Sequence, residues 1–364
     1  MKEEINVQAV IIGASGYSGE ELVRLLIRHP RVHLAGLTSR QHFGKKLAEV
    51  FPRFANHPDA KTIGFIKPEP DLVRKLLKEA LLKESSKDLP PVVFLALPHG
   101  VAFEWAAPMT EAGACVIDLS ADFRLRDASV YLEYYGHPHP TPGLMKDAIY
   151  GLPEINRSEI RKARLIASPG CYPTSILLPL IPLLREKLID PAGIVVNSLS
   201  GVTGAGRKAE EAFLFCECNE SLRAYGVPKH RHLSEIEQEL SLAARKPVVI
   251  QFTPHLVPVN RGIHTTICVR PAAKLKDDVS EAINRCYQQA YANEPFVRML
   301  GSATMPDTKR VTMTNVIEIG HRFDPRSGNL LIFSAEDNLT KGAAGQAIQS
   351  MNIVCGFPET TGLQ

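Results

Sequence analysis

The sequence predicts an α/β chain of two domains, and three observations predict it. Strand-like and helical segments alternate up to about residue 169. A glycine-rich turn stands between the first strand and the first helix, and beyond residue 171 four strand-like segments follow with few helices between them, the pattern of a mixed or antiparallel sheet. A chain of 364 residues is long enough for two cores. Hydrophobic residues make up 45% and charged residues 22%, ordinary for a globular protein, and a formal charge of +3 is too small to point to nucleic acid or a membrane surface as the main partner.

The first element is the β-rich run "VQAVII". It leads into "GASGYSGEELVRLLIRH", where Leu22, Val23, Leu25 and Leu26 recur at helical spacing, and then into a second strand, "VHLAGLT". Strand, helix and strand in this order make a βαβ unit, hence a parallel sheet with a right-handed crossover. "PDLVRKLLKEALLKESSKDLP" reads as a charged amphipathic helix at the periphery. "PVVFLALPHG", "CVIDLS" and "LIAS" read as further strands, with "AFEWAAPMTEAG" a helix between the first two. After Cys171 a helix is predicted over 174–188, with Pro179 and Pro182 expected to kink it or end it early. "GIVVNSLSGV", "PVVIQFTPHLVPV", "IHTTICVR" and "VIEIGHRF…NLLIFSAED" are the strand-like segments of the second domain, "KDDVSEAINRCYQQAYA" is a helix within it, and a small-residue helix ends the chain. The acidic start "MKEEIN" is unlike a signal peptide, and "ILLPLIPLL" is far short of the roughly 20 residues a membrane span needs.

Gly13, Gly16 and Gly19 form a G-x-x-G-x-x-G turn between a strand and a helix. Glycines there permit a tight turn and close approach of backbone to a pyrophosphate, and the next helix presents its positive N-terminus. The first domain therefore reads as a Rossmann dinucleotide-binding domain. The second strand ends in Thr38, Ser39 and Arg40, where an NAD site would carry an acidic residue for the ribose 2′-hydroxyl. Hydroxyls and a guanidinium suit a 2′-phosphate, so the expected cofactor is NADP(H).

Seven cysteines at irregular spacing make no disulfide framework, which fits a reducing compartment such as the cytoplasm. Cys171, in "SPGCYPT", stands at a helix start behind the nucleotide domain. A thiolate there attacks an activated acyl group, and hydride then reduces the thioester. Such a cysteine needs a lowered pKa, to which a helix N-terminus contributes, and an acid/base partner, usually histidine. Taken alone, "GCYPT" favours a structural cysteine. Cys115, Cys268, Cys286 and Cys355 read as structural, as do Cys216 and Cys218, whose C-x-C lacks the second pair of a zinc site. His230 and His232 in "KHRHLSEIEQEL" and His264 in "NRGIHTTI" are the histidine candidates, and no third and fourth metal ligand accompanies the His-x-His, so no metal is expected. Arg124, Arg207 and Arg261 hint at an anionic substrate, though each alone fits an ordinary salt bridge equally well.

The motifs "GASGYSGEEL", "LPHG", "DLSADFR", "YGLPEIN", "SPGCYPT", "SGVTGAGR", "KHRHLSEIEQ", "VPVNRGI" and "DNLTKGAAGQAIQ" occur in order over nearly the whole chain. Together they closely resemble the N-acetyl-gamma-glutamyl-phosphate reductases of arginine biosynthesis, relatives of aspartate-semialdehyde dehydrogenase. The resemblance implies NADPH-dependent reduction of an acyl phosphate to N-acetyl-glutamate semialdehyde through a cysteine thioester. By that resemblance Cys171 is the nucleophile, His232 the acid/base group, and His230 a contact to substrate. The cofactor contacts implied are Gly13, Ser15, Gly16, Tyr17, Ser18, Gly19, Thr38, Ser39, Arg40, Pro98, His99 and Asn338. Those implied for substrate are Arg124 at the phosphate, Arg261 at the carboxylate, Ser168 and Arg207. It also implies a nucleotide domain of residues 1–169 completed by a C-terminal helix at 338–364, and a catalytic and oligomerisation domain at 170–337, α+β with a mixed sheet. The partners implied are a small acyl-phosphate substrate and further copies of the chain in a homodimer or homotetramer, with neither nucleic acid nor membrane. The charged helix at 70–87 departs from the pattern and reads as an insertion. Two rivals share the scaffold: a reductase of a longer acyl phosphate, and a non-catalytic NADP-binding regulator.

Overall fold

The structure is a computed structural model and describes residues 7–81, 89–207, 209–273, 275 and 278–364. The acidic stretch "MKEEIN" and the end of the charged helix beyond residue 81 lie outside the described residues. The chain forms two compact units, one of Met1–Ala128, Pro138–Pro169 and Ala343–Gln364, the other of Ser129–His137 and Gly170–Gly342. Residues 129–137 join the second unit for a visible reason: Lys229 Nζ reaches Glu133 Oε1 at 2.8 Å and lies 4.6 Å over the Tyr134 ring.

In the first unit seven parallel strands make one sheet. They are β1 (Val7–Ile12), β2 (Val32–Thr38), β3 (Phe65–Ile66), β4 (Val92–Leu95), β5 (Cys115–Asp118), β6 (Ile149–Tyr150) and β7 (Leu165–Ala167), in the order β3-β2-β1-β4-β5-β7-β6. Every residue of β1 is buried, as a strand covered on both faces requires. The chain runs outward from β1 to β3 and then returns to β4 on the other side of β1. The strand order therefore switches between β1 and β4, where open α/β sheets leave a crevice for ligands. Helices α1 (Tyr17–Leu26), α2 (Pro70–Leu81), α3 (Phe103–Glu111) and α4 (Pro153–Ile160) belong to this unit.

The charged helix α2 corrects the expectation of a peripheral insertion. It is the crossover that carries the chain from β3 back to β4. Val73 and Leu77 are fully buried, and Leu76 packs over Gly36 of β2, where a Cβ would stand 3.3 Å from its methyl carbon. Charge on three faces of a helix hides one apolar stripe, and that stripe decides where the helix sits.

The second unit holds a mixed sheet of β8 (Ile194–Gly201), β9 (Arg223–Ala224), β10 (Ile250–Val257), β11 (Ile263–Val269), β12 (Val297–Gly301), β13 (Ile317–Asp324) and β14 (Asn329–Glu336). Its order is β12-β13-β14-β11-β8-β10-β9; β8 with β10 and β12 with β13 run parallel, and the other pairs antiparallel. The last strand-like segment of the sequence is thus a hairpin of two strands. Helices α5 (Cys171–Arg185), α6 (His232–Ala244) and α7 (Val279–Tyr291) pack together around the central α5, and α5 and α7 lie against the sheet. Burial alternates along β11, with Ile263, Thr265, Ile267 and Val269 buried and His264, Thr266 and Cys268 half-buried, so the opposite face is only partly covered. After β14 a π-helical turn, Thr340–Ala344, leads into α8 (Gly345–Val354), which rejoins the first unit. There Gln349 bonds Glu154 of α4 (3.1 Å) and Asn352 bonds His29 (3.1 Å).

Pro179 and Pro182 neither end nor break α5, which runs unbroken to Arg185 and is buried from Tyr172 to Leu184. A proline removes the N–H that the carbonyl four residues earlier would receive. Here those carbonyls are Ser175 and Leu178, and other elements supply the missing donors. Ser334 Oγ of β14 donates to Ser175 O at 2.7 Å, and Tyr291 Oη of α7 donates to Leu178 O at 2.6 Å. Ser334→Ala should leave the Ser175 carbonyl buried without its substitute donor and destabilise the fold by about 1–3 kcal/mol. A lowered urea midpoint at unchanged slope is the expected reading, and an unchanged midpoint would remove this account of the uninterrupted helix.

Candidate active site

In the first unit the glycine turn sits at the switch point between β1 and β4. Gly13 has φ +84°, and a Cβ on it would meet Ala96 O at 2.4 Å. A Cβ on Gly19 would meet Gly13 O at 2.4 Å, so this glycine lets α1 pack directly on the turn. Gly16 differs, since a Cβ there would find only Gly13 O, at 3.7 Å. Two glycines are thus required by packing, and the third faces open space at the N-terminus of α1. That open cradle fits the pyrophosphate of a dinucleotide. Thr38 and Ser39 hold the turn in place. Gly13 N–H donates to Thr38 Oγ1 (3.0 Å), and Ser15 Oγ bonds Ser39 Oγ (3.0 Å). Tyr17 and Ser18 begin α1, half-buried, and Arg40 is exposed just beyond β2.

Pro98 and His99 lie exposed in the loop after β4. Asp122 fixes that loop by accepting from the N–H groups of Gly100 (2.7 Å), Val101 (3.1 Å) and Ala102 (2.9 Å). Arg124 is buried, and its guanidinium donates to Ser168 O (2.8 Å) and Leu119 O (2.9 Å). It therefore braces the ends of β5 and β7, and Ser168 is the third residue before Cys171 in the chain.

In the second unit Cys171 opens α5, half-buried. The first turn of a helix presents its N–H groups to its N-terminal end. Pro173 contributes none, and Thr174 N–H reaches back to Gly170 O at 3.3 Å. Gly170 N–H is taken by the buried carboxylate of Glu235 (Oε2, 3.2 Å), in the first turn of α6. Glu235 thus ties the start of the cysteine helix to the helix that begins with His232. From below, Gly342 closes on Cys171: a Cβ there would stand 2.8 Å from the Cys171 Cβ and 3.1 Å from Glu336 Oε1. Gly342, in the π-helical turn before the small-residue helix, thus lies against Cys171.

His230 and His232 come together beside Tyr172. Their rings are 4.9 Å apart, and the Tyr172 ring lies 5.6 Å from His230 and 5.9 Å from His232. Tyr225 (5.5 Å) and Phe252 (5.7 Å) complete an aromatic box around His230. The hydroxyls of Tyr172 and Tyr225 bond each other at 2.8 Å. The His232 backbone N–H donates to His230 Nδ1 (3.1 Å), which leaves the His230 proton on Nε2 in the neutral ring. Burial, with the Arg231 charge beside it, lowers the His230 pKa to about 4. His264 does not join this group. It lies on the half-buried face of the sheet, away from the α5-facing row of Ile263 and Thr265, near Phe333 (6.4 Å). Among the described residues no group of three His, Cys, Asp or Glu side chains is placed to hold a metal ion.

Arg261 bonds the fully buried Asp337 (3.3 Å), which also accepts from the N–H groups of Met313 (2.7 Å), Leu339 (2.8 Å) and Thr340 (3.0 Å). Arg207 is exposed in the loop after β8. Asn338 uses both ends of its amide inside the unit, with Oδ1 accepting from Gly262 N (2.9 Å) and Nδ2 donating to Thr203 Oγ1 (3.0 Å). Sequence reading missed Tyr225, Glu235 and Glu336. Only Glu235 left a signal, since it falls three residues after His232, on the same face of a helix.

Residues 8–163 match the semialdehyde dehydrogenase NAD binding domain, and residues 171–338 the semialdehyde dehydrogenase dimerisation domain. Solved structures similar to the chain include aspartate semialdehyde dehydrogenase with NADP from Candida albicans, at TM-score 0.68 and 17% identity over 96% of this chain and 99% of that one. Aspartate semialdehyde dehydrogenase II from Vibrio cholerae aligns at TM-score 0.67 and 18% identity over 96% and 98%. Fold and site together define a protein of the semialdehyde dehydrogenase class. N-acetyl-gamma-glutamyl-phosphate reductase of Akkermansia muciniphila is 55% identical over 358 residues, 98% of each chain, and that of Moorella thermoacetica is 46% identical over 361 residues, again 98% of each. The chain belongs to the N-acetyl-gamma-glutamyl-phosphate reductase family.

Proposed function

We propose that this chain reduces N-acetyl-gamma-glutamyl phosphate to N-acetyl-glutamate 5-semialdehyde and phosphate with NADPH, in arginine biosynthesis. The observation that carries the reading is the half-buried Cys171 at the N-terminus of a buried helix, next in the chain to Tyr172, whose ring stands 5.6 Å from His230 and 5.9 Å from His232. The dinucleotide would lie on Gly13, Ser15, Gly16, Tyr17, Ser18 and Gly19, with Thr38, Ser39 and Arg40 toward its 2′-phosphate and Pro98 and His99 along the β4 loop. Asn338, whose amide keeps a second N–H beside the one given to Thr203, is proposed as a further cofactor contact. When bound, it supplies the hydride that reduces the acyl carbon.

The chain's own residues do the rest. His232 takes the thiol proton as Cys171 Sγ bonds to the acyl carbon, and phosphate leaves with the electron pair of the broken C–O bond. Backbone N–H groups near Cys171 stabilise the oxyanion, an effect worth roughly 3–4 kcal/mol per donor. After reduction the tetrahedral adduct collapses, the C–S bond breaks, and His232 returns the proton to the thiolate. Its neutral ring suits His230 to hold substrate through Nε2–H. Arg261, steadied by Asp337, takes the substrate carboxylate, and Arg207 and Ser168 line the same substrate. Arg124, whose guanidinium has five donors, contacts the phosphate while its bonds to Ser168 O and Leu119 O hold the loop that precedes the nucleophile.

The first unit is read as the nucleotide domain and the second as the catalytic one. The half-buried sheet face carrying Val195, Leu199, Val257, His264 and Phe333 is read as the contact with another copy, in a homodimer or homotetramer. No helix among the described residues is long and apolar enough to cross a membrane, and the proposed location is the cytoplasm. The test is the reverse reaction, oxidation of N-acetyl-glutamate semialdehyde in the presence of phosphate. Turnover with NADP well above that with NAD is expected. Turnover only with the aminoadipate homologue would transfer the reading to a longer acyl phosphate, and none with either would favour a non-catalytic regulator.

A further inference from the structure

A row of hydroxyls crosses the sheet beneath the first turn of α5. Ser198 of β8, Thr265 of β11 and Ser334 of β14 stand directly opposite one another in the strand register. One step further along the same buried face the row is Val196, Ile267 and Ile332, all apolar. Polar residues therefore replace the apolar floor only under the part of the helix that carries Cys171. All three hydroxyl residues are fully buried, as is Ser175. Ser175 lies one turn after Cys171, on the same side of the helix.

Their protons can be ordered. Ser175 Oγ donates to Tyr172 O at 2.9 Å, because a carbonyl can only accept. Its one proton is then used, so in the 2.8 Å contact with Thr265 the threonine donates. Thr265 has then used its own proton, so in the next 2.8 Å contact Ser198 donates. The result is one directed chain, Ser198 to Thr265 to Ser175 to the carbonyl of the residue after the cysteine. Ser334 grips the same turn separately, at Ser175 O.

The turn needs such a hold because its own bonding is poor. Pro173 offers no N–H, and the bond that closes the turn, Thr174 N to Gly170 O, is long at 3.3 Å. We infer that Thr265 and Ser175 are positioning residues for Cys171: the buried hydroxyl chain fixes the depth and rotation of the first turn of α5, and so the direction of the thiol. This rests on Cys171 being the nucleophile.

The test compares Thr265→Val, which keeps the shape and removes the hydroxyl, with Thr265→Ser, which keeps the hydroxyl. Misdirected nucleophiles lose rate without losing substrate. In T265V, kcat should fall on the order of tenfold to a hundredfold while KM for the acyl phosphate stays within about a factor of two. Iodoacetamide labelling of residue 171, followed by peptide mass spectrometry to separate it from the exposed Cys216, should slow in parallel, and T265S should restore both rates. If T265V fails to fold, S198A, which removes only the far end of the chain, should show a smaller loss of the same kind. A stable variant with normal kcat and normal labelling would overturn the inference, as would T265S as slow as T265V. If C171S itself stays active, the covalent reading falls first; if C171S is dead and T265V normal, only the positioning role is lost.

Discussion

Cys171→Ser should abolish turnover, by about four orders of magnitude or more, and leave NADPH affinity unchanged. The substitution changes one atom on a helix whose next thirteen residues are buried, so the fold has little reason to respond. What it removes is the sulfur nucleophile; a serine hydroxyl at the same place is a much weaker one. The two halves of the result are checked separately, turnover by the acyl-phosphate assay and cofactor affinity by nucleotide fluorescence titration. The cofactor half is expected because the glycine turn and its Thr38 and Ser39 ties belong to the other unit of the chain. Near-normal turnover in the serine variant would end the thioester mechanism. Lost turnover together with lost NADPH affinity would show that residue 171 matters for a reason other than its sulfur.

The parts of this molecule that sequence made legible are those where one local rule decides. β1 reads as a strand because six consecutive residues are buried on both faces, and the glycine turn after it reads as a nucleotide turn because its spacing has a steric cause that the structure makes explicit at Gly13 and Gly19. Where sequence misled, a distant residue supplied what the local rule found missing. Pro179 and Pro182 are helix breakers by any local argument, yet Ser334 and Tyr291, more than a hundred positions away, replace the lost donors. Gly342 was legible as a small residue and not as the one that closes on Cys171, because that contact spans 171 positions of chain. The separation of the three histidines was likewise not local: His232 opens a helix next to His230, whereas His264 lies on the half-buried face of β11, and alternation shows which face that is only once β11 has neighbours.

The two remaining histidines should separate under mutation. A general base works best with a pKa near the operating pH, and His230, lowered to about 4 by burial, is poorly matched to that task. Its Nδ1 is also occupied by the His232 N–H, and its ring is boxed by Tyr172, Tyr225 and Phe252. His232→Asn should therefore cost about 10²–10⁴-fold in kcat and remove the acid limb of its pH profile. His230→Asn should mainly raise KM and leave that limb in place; if instead it is the variant that loses the limb, the two roles are exchanged. His230 also predicts a separate effect on stability. Its folded pKa lies below the value of about 6.5 of an unfolded histidine, so below that pH the unfolded chain binds the extra proton. Stability is then complete above about pH 6.5 and declines as pH falls toward 4, with His321, also lowered to about 4 by burial, adding a decline of the same sign. His230→Asn should make the urea midpoint less sensitive to pH between 6.5 and 4, and an unchanged slope across that window would mean that the ring is not held neutral in the folded protein.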